Sequence, residues 1–542
     1  MPVDSHRVHT HRFHTHRWPT RTALWWLLGS GLMVRGVIAY FLPPGFDEAY
    51  YFLYTQYLDW SYFDHPAAVA LTTGFGVWLT GHVSPLTIRL GALLLFTVSL
   101  WLLHETGRWL FGDRAGWFSA LIASISPLFI LTFGTLTAPD NALIFFWSSA
   151  LYVCAQEFFP HHSPFERPYT PTPKLVLIGG LIGLCCASKY HGFLLGLSLV
   201  GFCASRQGYR PALRSKWMAL GLAAFGLCLL PTLYWNSQHG WISFQFQLSD
   251  RFTEAPTRFS LIDAGVTALA GVGFLFPTVG IPLWWVGIKQ LFEQLSAAWQ
   301  SKLATDSEPV QFLLWCGLPI AAGFTLIGGA THTYPAWPAP GLWVLTLLLG
   351  RAAATWPRKA VRLWIQGTGW VVSAVLGFAL IHVVVGTLQQ PSQYSLLGGF
   401  VAPEDDPSTA LIDVKQLRSQ FAHSPQVRDA IATTDFVLSH EFWLSGYIAM
   451  SLPTPRHQSV YSFTQDPRGH AIWFEAANWL GKDALFVSIA DFSQAEVIEA
   501  ISPYFQSIEP LTEITTQRGE AITETVYLYR ANTLLQPYPY PY

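Results

Sequence analysis

Charge is what this 542-residue chain has least of. Only 12% of its residues are Asp, Glu, Lys or Arg, against 51% hydrophobic. A soluble chain carries roughly 25% charged residues, so an ordinary soluble domain is excluded. No basic block is present, and the net charge of −2 gives no footing for nucleic acid. Cysteine is also sparse: all six (Cys154, Cys185, Cys186, Cys203, Cys228, Cys316) fall inside apolar runs. With no CxxC or Cys/His metal spacing, they read as small core residues and not as a disulfide framework. A cleavage site after the first apolar run is missing too, which points to a retained first helix. No solenoid repeat and no Gly-rich phosphate loop is found.

What the chain does have is aromatic side chains and long apolar runs. Trp 24, Tyr 21 and Phe 38 accompany a series of segments near the roughly 20 residues a membrane-crossing helix needs. The candidate spans are Ala23–Leu42, Leu86–His104, Ala115–Phe133, Asn141–Phe159, Trp217–Trp235, Ala264–Ile288, Gln311–Gly329, Ala336–Gly350 and Leu363–Gly386. A longer run, Leu175–Cys203, is interrupted by "SKYHG" at Ser188–Gly192. Read as one helix it would throw the basic "RQGYRPALRSK" outside, against the positive-inside rule. Split into two short crossings, it brings the total to about eleven transmembrane helices. The His-rich, basic residues 1–22 then lie in the cytoplasm as an anchor, residues 23–386 form the membrane domain, and residues 387–542 lie outside.

Within that outer tail, "DFVLSH", "HQSVYSF", "ALFVSIA" and "TVYLYR" read as strands and "SQAEVIEAIS" as a helix, giving a small α/β domain. The closing "QPYPYPY" reads as frayed. The same parity places Pro43–Pro85, Gly134–Asp140, Ser188–Gly192, Asn236–Asp263 and Ala330–Pro335 on the outer side. These loops are rich in acids, histidines and rings and lean in Lys and Arg.

In the first outer loop, residues 43–85, Pro43, Pro44 and Gly45 stop the first span. Asp47 and Glu48 then open a helix, "DEAYYFLYTQYLDW", where acids suit the positive N-terminal end. Phe46, Tyr50, Tyr54 and Tyr57 form one aromatic stripe, which reads as a helix lying on the membrane surface. An interfacial helix ordinarily carries Lys and Arg, so anchoring alone does not explain the acids. A carboxylate beside a lipid surface serves as a general base for an acceptor hydroxyl. A phosphate-linked leaving group needs the opposite charge, which Lys189, His191, His239, Arg251 and His332 offer.

Taken with these residues, "FDEAYYFLYTQYLDWSYFDHPAAVAL" resembles the first outer loop of bacterial membrane glycosyltransferases related to the protein O-mannosyltransferases and the lipid A aminoarabinose transferase. "TLTAPDNALIFFW", "ASKYHGFLL", "YWNSQHGWISFQFQ" and "THTYPAWPAPGLW" resemble further segments of that family, over most of Ala23–Gly386. The resemblance implies a GT-C fold and sugar transfer from a polyprenyl phosphate to a lipid, protein or envelope glycan outside the cytoplasm, with inversion at C1. It implies Asp47 as base and Glu48 as the group that orients it or meets acceptor or sugar. Asp140 would be the second-loop acid. Lys189, Tyr190, His191, His65, Asn236, His239 and His332 would contact the donor phosphate or sugar. Some members of this fold bind a divalent metal, and no ligand set is evident here. A multi-pass transporter or flippase and an outer glycan-binding scaffold remain open as other readings; broken spans with charged residues also mark transport pathways.

Overall fold

The computed structural model describes residues 21–160, 168–249, 259–300, 307–331, 333–390, 393–453 and 458–542. The His-rich N-terminal segment, Arg251 and His332 lie outside them. The helical part comprises α1 (Arg21–Phe41), α2 (Phe46–Tyr54), α3 (Ala68–Thr80), α4 (Pro85–Phe111), α5 (Asp113–Ser124), α6 (Pro139–Phe158), α7 (Lys174–Cys186) and α8 (Phe193–Ser205). It continues with the single turn α9 (Arg210–Leu213), α10 (Lys216–Gln238), α11 (Ile242–Leu248), α12 (Leu261–Leu275), α13 (Pro277–Trp299), α14 (Glu308–Ile327), α15 (Ala339–Thr355) and α16 (Arg358–Val385). By length and composition α1, α4, α10, α14 and α16 suffice to cross a membrane, and α12 with α13 form a bent sixth candidate.

Two expected spans are interrupted. Ala264–Ile288 bends by 119° between α12 and α13. Phe276 there has φ 73°, and Pro277 begins α13. A residue before proline is disfavoured in the helical region, and hydropathy alone does not register that. Ala115–Phe133 likewise stops at Ser124; after Pro127 the chain continues as a π-turn at Phe129–Phe133. The break expected inside Leu175–Cys203 is present. Leu175, Ile178 and Ile182 of α7 share one groove with Cys203, Val200 and Gly196 of α8, so the two helices run back along each other. Their tip carries Ser188–Gly192.

The C-terminal part folds as a five-stranded sheet flanked by helices. Strands β1 (Phe436–Ser439), β2 (Val460–Ser462) and β3 (Ala484–Ile489) are parallel; β4 (Phe505–Arg518) and β5 (Ala521–Leu534) form an antiparallel hairpin, in the order β2-β1-β3-β5-β4. Buried Phe436, Leu438 and Phe486 fill the core on one face, and Val437, Leu485 and Val487 on the other. The edge strand β4 carries Pro510 and a register shift beside it, the reason its sequence does not read as a strand. The final tyrosines are not frayed. Tyr538 stacks on Phe463 at 4.7 Å, the Tyr540 hydroxyl donates to Ser462 O at 2.8 Å, and Tyr542 stacks on Phe63 at 4.8 Å.

This domain sits on α2, which corrects the expectation of a surface helix. Helix α2 ends at Tyr54, and Tyr50 and Tyr54 are fully buried. The aromatic stripe meets protein rings: Phe46 on Trp443 at 4.5 Å, Tyr50 on Phe442 at 5.1 Å and Tyr57 on Trp473 at 4.8 Å. An apolar stripe serves lipid or protein equally, and its period does not say which. The contact depends on Gly446 in helix Phe442–Ser451: a Cβ there would stand 2.2 Å from Ala49 O.

Candidate active site

The α2 loop, the α5–α6 segment, the α7–α8 tip and the sheet domain enclose a cleft of about 480 Å³. Asp47, Tyr51, Asp64, His65, Asp140, Lys189 and Arg468 line it, with Leu128, Leu131, Phe274 and Trp337 supplying an apolar wall. Asp47, Asp140 and Lys189, widely separated in the sequence, therefore share one surface.

Asp47 is exposed on the first turn of α2. Glu48, next to it, faces away from the cleft. Its carboxylate accepts from Arg89 Nε at 2.8 Å and Nη2 at 2.5 Å, from Gly45 N at 2.9 Å and from Thr137 N at 2.8 Å. Arg89 is wholly buried on α4 and also donates to the carbonyls of Ala39, Leu42 and Pro43. Glu48 thus ties the end of α1, the start of α2 and the α5–α6 segment into one unit. This corrects its expected catalytic role: successive residues on a helix point about 100° apart, and only Asp47 reaches the cleft.

Lys189 Nζ lies 2.9 Å from both Asp140 oxygens, and both side chains are buried. Asp140 therefore fixes the ammonium in place. Arg468, from the sheet domain, is the second cation. Its Nη1 is 3.2 Å from Asp64 Oδ2, its Nε 3.2 Å from Asp466 Oδ2, and its guanidinium covers the Phe442 ring at 4.0 Å. Burial opposes the charge, but Asp64, Asp466 and Asp47 outweigh it and hold Arg468 above the usual arginine range. The other Asp64 oxygen accepts from the Tyr54 hydroxyl. Burial, followed by the charges of Asp47 and Asp64, pushes the Tyr51 phenol well up, so it stays a proton-bearing donor on the cleft wall. His65 is buried on the same wall, its ring 5.6 Å from Tyr51.

The remaining expected donor contacts are placed elsewhere. Tyr190 packs on Phe244 at 5.2 Å, and His191 on Phe324 at 4.8 Å and Trp337 at 5.9 Å, behind the cleft wall. Asn236 is buried, donates to Thr232 O at 2.9 Å and accepts from Ser243 N at 3.2 Å. His239 stacks on Trp235 at 4.0 Å. These two hold the α10–α11 turn, because polar groups at a helix end satisfy its backbone first. Arg468 was not legible in the sequence; the one local signal is "DPRGH", a turn in which Arg468 takes φ 46°. Among the described residues no three His, Cys, Asp or Glu side chains converge on a metal position.

Comparison with known proteins bears on the fold that carries this cleft. Residues 64–235 match the family model of dolichyl-phosphate-mannose-protein mannosyltransferase. Over 318 residues the chain is 24% identical to the lipid A galacturonosyltransferase RgtD of Rhizobium johnstonii, a match covering 57% of this chain and 59% of that protein. The crystal structure of ArnT from Cupriavidus metallidurans in the apo state superposes with a TM-score of 0.62 at 15% identity, over 94% of this chain and 98% of that one. The same protein bound to undecaprenyl phosphate gives 0.59 at 16% identity over the same shares. The likeness spans helical part and sheet domain alike, and with the long apolar helices it makes the chain a multi-pass membrane protein.

Proposed function

We propose that this chain, which has the GT-C glycosyltransferase fold, moves a sugar from a polyprenyl-phosphate donor to a hydroxyl or amine of a lipid, protein or envelope glycan. The carrying observation is the cleft itself, where one exposed carboxylate, Asp47, shares a surface with two positioned cations, Lys189 and Arg468. Undecaprenyl phosphate in the ArnT structure supports the donor class. In this reading the cleft and the sheet domain lie outside the cytoplasmic membrane, opposite the basic loops, with about eleven crossings; the Lys and Arg bias of those loops supports it.

In this reading Asp47 takes the proton of the acceptor as its oxygen or nitrogen attacks C1. The C1–O bond to phosphate breaks on the opposite face, inverting the anomeric centre, and polyprenyl phosphate leaves with the electron pair. Lys189 and Arg468 stand where the charge of the leaving phosphate develops, held there by Asp140, Asp64 and the Phe442 ring. Cations fixed before the reaction stabilise that charge without reorganising. His65 and Tyr51 supply hydrogen bonds to sugar or phosphate. With two cations already in the cleft, we expect transfer to persist in EDTA; loss restored by Mg²⁺ or Mn²⁺ would add a metal to the scheme.

Asp47→Asn tests the assignment. Sugar transfer from a polyprenyl-phosphate donor should fall by about 10²–10⁴-fold, the usual weight of a general base, in a protein that folds normally in detergent. Full activity would remove Asp47 as base. A transporter would move the labelled donor without forming a new glycosidic bond. Mass spectrometry of envelope lipids and glycans in a deletion strain names sugar and acceptor.

A further inference from the structure

A second cavity, of about 490 Å³, opens between α1 and α16, beneath Ile125 and Ile130. Its wall is apolar except for three serines and one guanidinium, that of Arg35. Arg35 is 2% exposed, on a helix apolar enough to cross a membrane. Its Nη2 donates to Thr97 Oγ1 at 2.9 Å, its guanidinium lies over the Phe96 ring at 4.9 Å, and its Nε has no hydrogen-bond partner. Among the described residues, no carboxylate lies within 4.0 Å of it. A guanidinium carries five N–H donors, and a buried one is ordinarily paired. Ionisable groups within membrane helices are costly and mark functional sites.

The placement says what would pair it. The groove follows α1 from Leu27 to Ile38, roughly 16 Å at 1.5 Å per residue. Arg35 stands near the end closest to the sheet domain, and apolar wall runs from there toward Leu27. A cation at the top of a long apolar groove fits an amphiphile with an anionic head and a hydrocarbon tail. We propose that the α1–α16 groove binds one anionic membrane lipid, its phosphate or carboxylate on Arg35 and its chain along the groove. The site is distinct from the cleft but touches the same segment: in the turn Phe129–Phe133, Ile130 faces this groove while Leu131 and Thr132 face the cleft. Bound lipid therefore braces one cleft wall. The inference does not depend on the transferase reading.

The test uses the full chain in phosphatidylcholine nanodiscs containing one tenth phosphatidylglycerol, or one tenth oleate, with retained lipid counted by native mass spectrometry. One anionic lipid per chain should remain; phosphatidylglycerol identifies a phosphate head and oleate a carboxylate head. Arg35→Met should lower that retention at least tenfold, and Arg35→Lys should keep most of it. Gly377→Phe fills the groove while leaving Arg35 in place, and a Cβ at Gly377 meets nothing within 4 Å, so this variant should fold and also lose the lipid. Retention by Gly377→Phe equal to the parent, or equal retention of phosphatidylcholine, overturns the proposal, whether or not Arg35→Met folds.

Discussion

Replacing Glu48 with glutamine separates a structural acid from a catalytic one. The carboxylate accepts four hydrogen bonds, two from Arg89 and two from the backbone at Gly45 and Thr137. Glutamine removes the charge and turns an NH₂ group toward at least one donor. Arg89, with no exposed surface, keeps its three carbonyl partners but loses the carboxylate charge that balances it. Removing one partner of a buried ion pair costs about 3–5 kcal/mol, because the other charge stays buried. We therefore expect Glu48→Gln to unfold markedly earlier in a detergent thermal scan. Turnover per folded molecule, measured well below that midpoint, should stay within roughly threefold, since less than 1 kcal/mol of transition-state stabilisation is at stake. The double variant Glu48→Gln/Arg89→Met should be less destabilised than the two single losses added together, as expected for groups in direct contact. A variant of normal stability with turnover down more than 100-fold would refute the reasoning and return Glu48 to the chemistry.

Lys189→Met and Arg468→Met should each weaken binding of undecaprenyl phosphate at least tenfold, about 1.4 kcal/mol, in a native mass spectrometry titration; unchanged affinity in both would leave the leaving phosphate without its cations. Gly446→Leu should lift the sheet domain from α2, since even a Cβ would stand 2.2 Å from Ala49 O. Faster protease cleavage within residues 386–413 checks this, and a parental cleavage rate would contradict the packing. Burial first, and then Asp466, raises the Glu441 carboxyl to about 7. Between roughly pH 4.5 and 7 the folded chain keeps a proton there that the unfolded chain has lost, so this group's contribution to stability falls as pH rises through that window. Glu441→Gln mimics the protonated form, and its melting temperature relative to the parent should climb from pH 4.5 to 7 and then level off; a pH-independent difference would discount the shift.

Composition by itself decided that this chain lives in a membrane, because nothing else tolerates so few charges among so many apolar residues. Asp47, Asp140 and Lys189, which the structure brings to one cleft, stood out in the sequence for a related reason: an ionisable group beside an apolar run is costly enough to need a cause. The strands β1, β2, β3 and β5 were legible from their β-branched and aromatic content, as was the break at Ser188–Gly192 from its charge. The sequence could not say which partner each group would choose. Asp47 and Glu48 are neighbours of identical chemistry, and only the packing of α4 against α2 turned Glu48 to Arg89 and left Asp47 to the cleft. The stripe Phe46, Tyr50, Tyr54 had the right period for lipid, yet met the rings of the sheet domain. Arg468 lies 404 residues from Asp64 and had no local pattern to announce it. Periodicity and charge act over a few residues and are written in the chain, whereas partnership across hundreds of residues depends on which surfaces exclude water together, and that is settled only when the tertiary structure forms.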